Sequence, residues 1–83
     1  RIQEVVGLSI SSNTVYIDGN PVLKINSMSA EMIHTLLKQG LLCKAIESIF
    51  EEYQVEYKQV FIDMMYLFYN LLSVKGIYLH ENS

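Results

Sequence analysis

The chain has 83 residues, 51% of them hydrophobic and 18% charged, with a formal net charge of −3. That length holds one domain, close to the lower limit for folding without disulfides or metals and burying roughly 60 to 65% of its unfolded surface, and the composition excludes a disordered tail. Arg1, Lys24, Lys38, Lys44, Lys58 and Lys75 are spread along the chain, so no basic patch is concentrated enough to neutralise phosphates, and nucleic acid is not an expected partner.

The single cysteine, Cys43, excludes an internal disulfide framework, and no charged start leads into an apolar run as in a secretory signal, so a cytoplasmic protein is expected. The longest apolar region, Val60 to Leu72, is interrupted by Asp63 and Asn70 and falls short of the ~20 residues a bilayer span needs. No membrane span is expected. Because the chain opens with Arg1 rather than methionine, it reads as trimmed or cut from a longer protein, with a fused enzyme as one arrangement.

From Glu4 to Ile25 the sequence predicts three short strands. Val6, Leu8 and Ile10 alternate with smaller or polar neighbours, which makes the first strand half buried. Ser11, Ser12 and Asn13 form a turn, Val15 and Ile17 resume the alternation, and Asp18, Gly19, Asn20 and Pro21 form a second turn before Val22 to Ile25. Two tight connections imply an antiparallel meander. Its third strand is an edge unless the chain returns to it, and Pro21, with no amide hydrogen to donate, suits an edge position.

Asn26, Ser27 or Ser29 can cap a first helix running to about Gln39, with Glu31 in its first turn and Gly40 ending it. Its inward face is Met32 or Ile33, Leu36 and Leu37. A second helix, from about Leu42 to Tyr53, turns Ala45, Ile46, Ile49, Phe50 and Tyr53 inward and Lys44, Glu47, Glu51 and Glu52 outward. A long third helix follows within Glu56 to Ile77 and stops near Lys75 and Gly76, and Ile77, Tyr78 and Leu79 add a short extended tail. Three strands followed by three helices define an α+β, winged-helix-like domain with its sheet placed first; a generic sheet covered by helices is the alternative.

The third helix is apolar on nearly every side. Val60, Met64, Leu67 and Leu71 recur at three- and four-residue spacing and make one stripe, which a small domain buries in its own core. Ile62, Met65, Tyr66 and Tyr69 form a second stripe that is left over. Unless a neighbouring subunit or the domain itself covers it, this wall is of the kind that marks a partner site.

Groups able to do catalysis are sparse, and no enzymatic activity is expected. Cys43, His34 and His80 are too few and too irregularly spaced for a zinc pattern, so no metal site is predicted. Cys43 reads as a small residue near the start of the second helix, His34 as a surface or half-buried side chain, and His80 as solvated. Gly7, Gly19, Gly40 and Gly76 are isolated and make no phosphate loop, so no nucleotide cofactor is expected. Asp63, the one charge inside the apolar helix, is assigned a hydrogen bond or a helix-end contact.

From Val22 onward the order of residues is distinctive. An extended Leu23-Lys24-Ile25-Asn26 leads to a helix with Ala30 and Ile33, then Gly40, then a second helix ending in Tyr53. The closing pattern of Val60, Asp63-Met64, Leu67, Leu71 and Gly76-Ile77 follows. This order resembles the PqqD-like family, also called RiPP recognition elements, where RiPP denotes a ribosomally made, post-translationally modified peptide. The resemblance covers about Val15 to Leu79; Ile2 to Ile10 match no distinctive family motif.

The resemblance implies a peptide chaperone of natural product biosynthesis that binds the leader segment of a precursor peptide and presents its core to a modifying enzyme, often a radical SAM enzyme. It implies that the leader joins the sheet beside the third strand, at Val22, Leu23, Lys24 and Ile25. The leader would then lie against Ile62, Met65, Tyr66 and Tyr69 of the third helix, with Phe61 and Lys58 as neighbours. Lys24 and Lys58 would steer acidic leader residues. Two other classes compete: a winged-helix DNA-binding regulator, and a structural homodimer that uses the same apolar face.

Overall fold

The computed structural model describes residues 1–80. Its elements are β1 (Ile2–Glu4), β2 (Leu8–Ser11), β3 (Thr14–Ile17), β4 (Asn20–Lys24), α1 (Ser27–Gln39), α2 (Leu42–Tyr53), α3 (Tyr57–Ser73) and β5 (Ile77–Leu79). Two tight turns build the main sheet. Ser12 and Asn13 sit at φ 50° and 57°, and Asp18 and Gly19 at φ 52° and 81°, so each two-residue connection has both central residues in the left-handed region that a strand-matched hairpin needs. The turns set the registers Ser11 opposite Thr14 and Ile17 opposite Asn20, giving an antiparallel sheet in the order β2-β3-β4. Three helices follow it, so the fold is α+β and compatible with a winged-helix-like arrangement.

The start of the chain differs from the expected first strand. Val6 is 98% exposed and lies on a turn, because Gly7 at φ 97° takes the backbone out of the extended geometry that the alternation of Val6, Leu8 and Ile10 suggested. Ile2–Glu4 instead forms a separate strand. It pairs antiparallel with β5 in a two-stranded ribbon, Ile2 opposite Leu79 and Glu4 opposite Ile77. The ribbon is extended by Arg1 and His80, whose backbone groups bond each other in both directions at 2.8 and 2.7 Å. The closing segment therefore returns to β1, and among the described residues β4 has no strand partner on its outer side.

Asn26 caps α1 by accepting the Ser29 amide at 2.7 Å. Gly40 ends the helix at φ 73°, a conformation glycine adopts without strain, and its amide donates to the Leu36 carbonyl. Starting at Ser27, α1 has no acidic residue in its first turn, so Glu31 lies one turn too late to serve the helix end as expected.

One core joins the layers. Val15 from β3, Met32, Ile33 and Leu36 from α1, Ala45, Ile46 and Ile49 from α2, and Val60, Met64, Leu67 and Leu71 from α3 are all buried, with Ile2 and Ile77 closing one end. The inward stripe expected for α3 is therefore its buried stripe. In α2 the inward face is narrower than expected, because Phe50 and Tyr53 are exposed. Phe50 meets Tyr57 edge-on at 5.3 Å, covering the link between α2 and α3 from outside.

Candidate functional site

The free rim of the sheet is defined by which way each β4 residue turns its backbone. Thr14 and Ser11 close a two-residue hairpin, so the amide and carbonyl of Thr14 are engaged by β2. Thr14 and Lys24 are consequently a non-hydrogen-bonded pair, and the amide and carbonyl of Lys24 face away from the sheet. The next residue alternates: Ile25 donates its amide inward to the Asn13 carbonyl at 2.9 Å. Asn26 is still extended, at φ −103° and ψ 177°, and turns its amide outward again. At the other end, Pro21 opposes Tyr16 in a non-hydrogen-bonded pair and offers the rim a carbonyl but no donor.

Between Pro21 and Lys24 the strand carries a bulge. Val15 pairs with Leu23 and Tyr16 with Pro21, so Val22 is the extra residue. Val22 is half-buried against the core.

A groove of about 460 Å³ runs beside this rim. Its sheet-side wall is Leu23, Lys24 and Ile25, its base includes Met28 and Met32 of α1, and its far wall is Asp63, Tyr66, Leu67 and Asn70 of α3. The α3 residues recur at three- and four-residue spacing, so they form one flank of the helix. Asp63 accepts a hydrogen bond from Gln59 Nε2 at 2.9 Å, one turn back, and lies in mid-helix. A helix-end contact, one of its two expected roles, does not apply.

Of the residues expected to form a site, Leu23, Lys24, Ile25 and Tyr66 line the groove, and Val22, Lys58, Phe61, Ile62, Met65 and Tyr69 do not. Ile62 and Tyr69 stay exposed on the outer shoulder of α3 next to Tyr66, at 49% and 68% exposure. Phe61 and Met65 are exposed farther round, and Lys58 sits in the first turn. The difference has a geometric cause. The groove lies where α3 meets the sheet edge, so it is walled by the seam beside the buried stripe rather than by the face diametrically opposite the core. Sequence reasoning placed Leu67 wholly in the core and treated Asp63 and Asn70 as interruptions of an apolar helix. Their common spacing with Tyr66 was the available signal.

The opposite rim, β2, borders a smaller depression of about 360 Å³ walled by Glu4, His34 and Lys38 beside Leu8, Ile10 and Leu37. Its charged walls make it a poorer acceptor for apolar side chains than the β4 groove. Among the described residues no group of three His, Cys, Asp or Glu could hold a metal ion, and no helix is long and apolar enough to cross a membrane. Comparison with protein-family models, curated proteins and solved structures gives no match to the chain.

Proposed function

We propose that this chain is a non-catalytic peptide-recognition domain. It binds the leader segment of a ribosomally made precursor peptide as an extra strand on β4, against α3, and presents the remainder to a modifying enzyme. The observation that carries the reading is the open β4 rim, with Lys24 and Asn26 turned outward, lying directly beside an apolar groove. The resemblance to the PqqD-like family supplies the class of peptide and the class of enzyme, a radical SAM maturase either separate or fused. A cytoplasmic setting accords with the one cysteine of the chain, Cys43, being free and exposed.

The energetics require both parts of the site. About four rim hydrogen bonds at ~1 kcal/mol net each do not offset an association cost of roughly 4 to 15 kcal/mol. Two or three apolar side chains buried in the groove at ~1.5 to 3 kcal/mol each add roughly 3 to 9 kcal/mol. Micromolar affinity is reached at the upper end of that gain and the lower end of the association cost, as for a leader that costs little to order. A rim without the groove would bind too weakly to be useful.

A second reading, a structural homodimer, draws support from the exposed Phe61, Met65 and Leu72 on the side of α3 away from the groove. The same strip suits contact with the modifying enzyme. A winged-helix DNA-binding role has less support, since the groove flank of α3 carries Asp63 and neither Arg nor Lys. The test is a titration of isotope-labelled protein with the leader of a short precursor encoded beside this chain. Amide shifts at Lys24, Ile25 and Asn26 together with Tyr66 and Asn70 support the proposal. Shifts confined to the outer strip, or a dimer that persists on dilution without peptide, favour the second reading.

A further inference from the structure

The chemistry of the groove also restricts which segment it accepts. A strand laid along β4 places alternate side chains on opposite faces of the sheet, so those flanking the residue that bonds Lys24 enter the groove. The α3 wall from Asp63 to Asn70 is about 10 Å long at ~1.5 Å per residue, and groove-facing strand residues are about 6.7 Å apart. Two side chains of the bound segment therefore fit along it, at positions i and i+2.

The wall they meet is not uniform. Tyr66 and Leu67 stand at its middle, over Met28 and Met32, and suit an apolar side chain. Asp63 closes one end. It is exposed, and the hydrogen bond it accepts from Gln59 is a neutral one, which leaves the charge of the carboxylate uncompensated. Lys24 does not neutralise it, because Lys24 and Thr14 share one face of the sheet while Val15 and Leu23 share the other, and Val15 is buried under the helices. Lys24 borders the groove through its place on β4, but strand alternation directs its ammonium to the outer face, and along the α3 wall the carboxylate of Asp63 is the only full charge.

We infer that the groove selects an extended segment carrying an apolar side chain and, two residues away, a lysine or arginine that pairs with Asp63. The inference rests on the strand-addition reading and adds to it a chemical identity for the partner. The residue between the two lies beside Lys24 on the outer face and is best acidic.

A phage-displayed library of random dodecapeptides, selected on the full chain, tests this. The expected winners share an apolar residue and a Lys or Arg at i and i+2. Replacing that basic residue by glutamine in a synthetic winner should weaken binding about five-fold, as for a partly exposed ion pair, and should have no effect on binding to Asp63→Asn. Asp63→Asn keeps an oxygen for Gln59 and leaves the fold intact. Winners that shift the Lys24 and Asn26 amides but lack a basic residue at that spacing, or whose glutamine variant loses equally against Asp63→Asn, overturn the inference and leave strand addition standing. Winners that bind without touching those amides, or a library with no winners, overturn strand addition itself.

Discussion

Thr14 and Lys24 lie opposite each other on β3 and β4 without exchanging hydrogen bonds, so the amide and carbonyl of Lys24 are left to the outside of the sheet. Ile25, one residue on, gives its amide to Asn13 within the fold. In the proposed binding mode, two adjacent residues therefore separate function from stability.

Lys24→Pro removes a donor that the fold does not use, in a strand where the backbone before it is already extended. It should leave the melting temperature within a few degrees of wild type and weaken leader binding at least five-fold, the equivalent of one hydrogen bond of ~1 kcal/mol. Ile25→Pro should instead lower stability by about 2 kcal/mol or more, read by urea denaturation. Equal losses of stability in both variants would mean that the Lys24 amide is already engaged.

Tyr66 and Leu67 divide the same way on α3. Tyr66 is 68% exposed and Leu67 only 6%. Tyr66→Asp should keep the folded circular dichroism spectrum and weaken leader binding about ten-fold. Leu67→Asp buries an unpaired carboxylate in the core, and with a margin of stability of only ~5 kcal/mol for a domain of this size it should not fold. The reverse outcome would exchange the core and groove faces of α3.

The ribbon of β1 and β5 makes its own prediction. Ile2 is 4% exposed and Val6 98%, although both lie near the start of the chain. Ile2→Ala should cost about 2 to 4 kcal/mol in chemical denaturation and Val6→Ser less than about 0.5 kcal/mol. Similar costs for the two would return Val6 to a buried strand and dissolve the ribbon.

Asn26 serves as cap of α1 and as part of the groove. Asn26→Ala should lower stability by about 1 kcal/mol, while Asn26→Asp, which keeps an acceptor for the Ser29 amide, should be near neutral. Thermal melts of the two variants at pH 7 distinguish a cap from a merely exposed side chain.

Much of this architecture is legible in the residues alone. The buried stripe of α3 is written in the spacing of Val60, Met64, Leu67 and Leu71, and the open edge in two tight turns followed by Pro21. The β1–β5 ribbon is not legible, because three-residue strands are too short to show a period and the pairing joins Ile2 to Leu79 from opposite ends of the chain. The groove is half legible. Its sheet side follows from the edge, but which flank of α3 faces that edge depends on how the helix sits on the core, and a pattern of three- and four-residue steps fixes only the buried side. Phe50 and Tyr53 illustrate the same limit: they continue the apolar pattern of α2, yet the core is already filled by Ile46 and Ile49 and leaves them outside.

Hydrogen exchange at the Lys24 amide, measured with and without saturating leader peptide, tests strand addition most directly. Strand addition requires fast exchange at Lys24 and Asn26 in the free protein, strong protection of both on binding, and protection of Ile25 in either state. Protection that arises at Ile10 on the opposite rim, or a Lys24 amide that exchanges equally fast with the peptide bound, would contradict it.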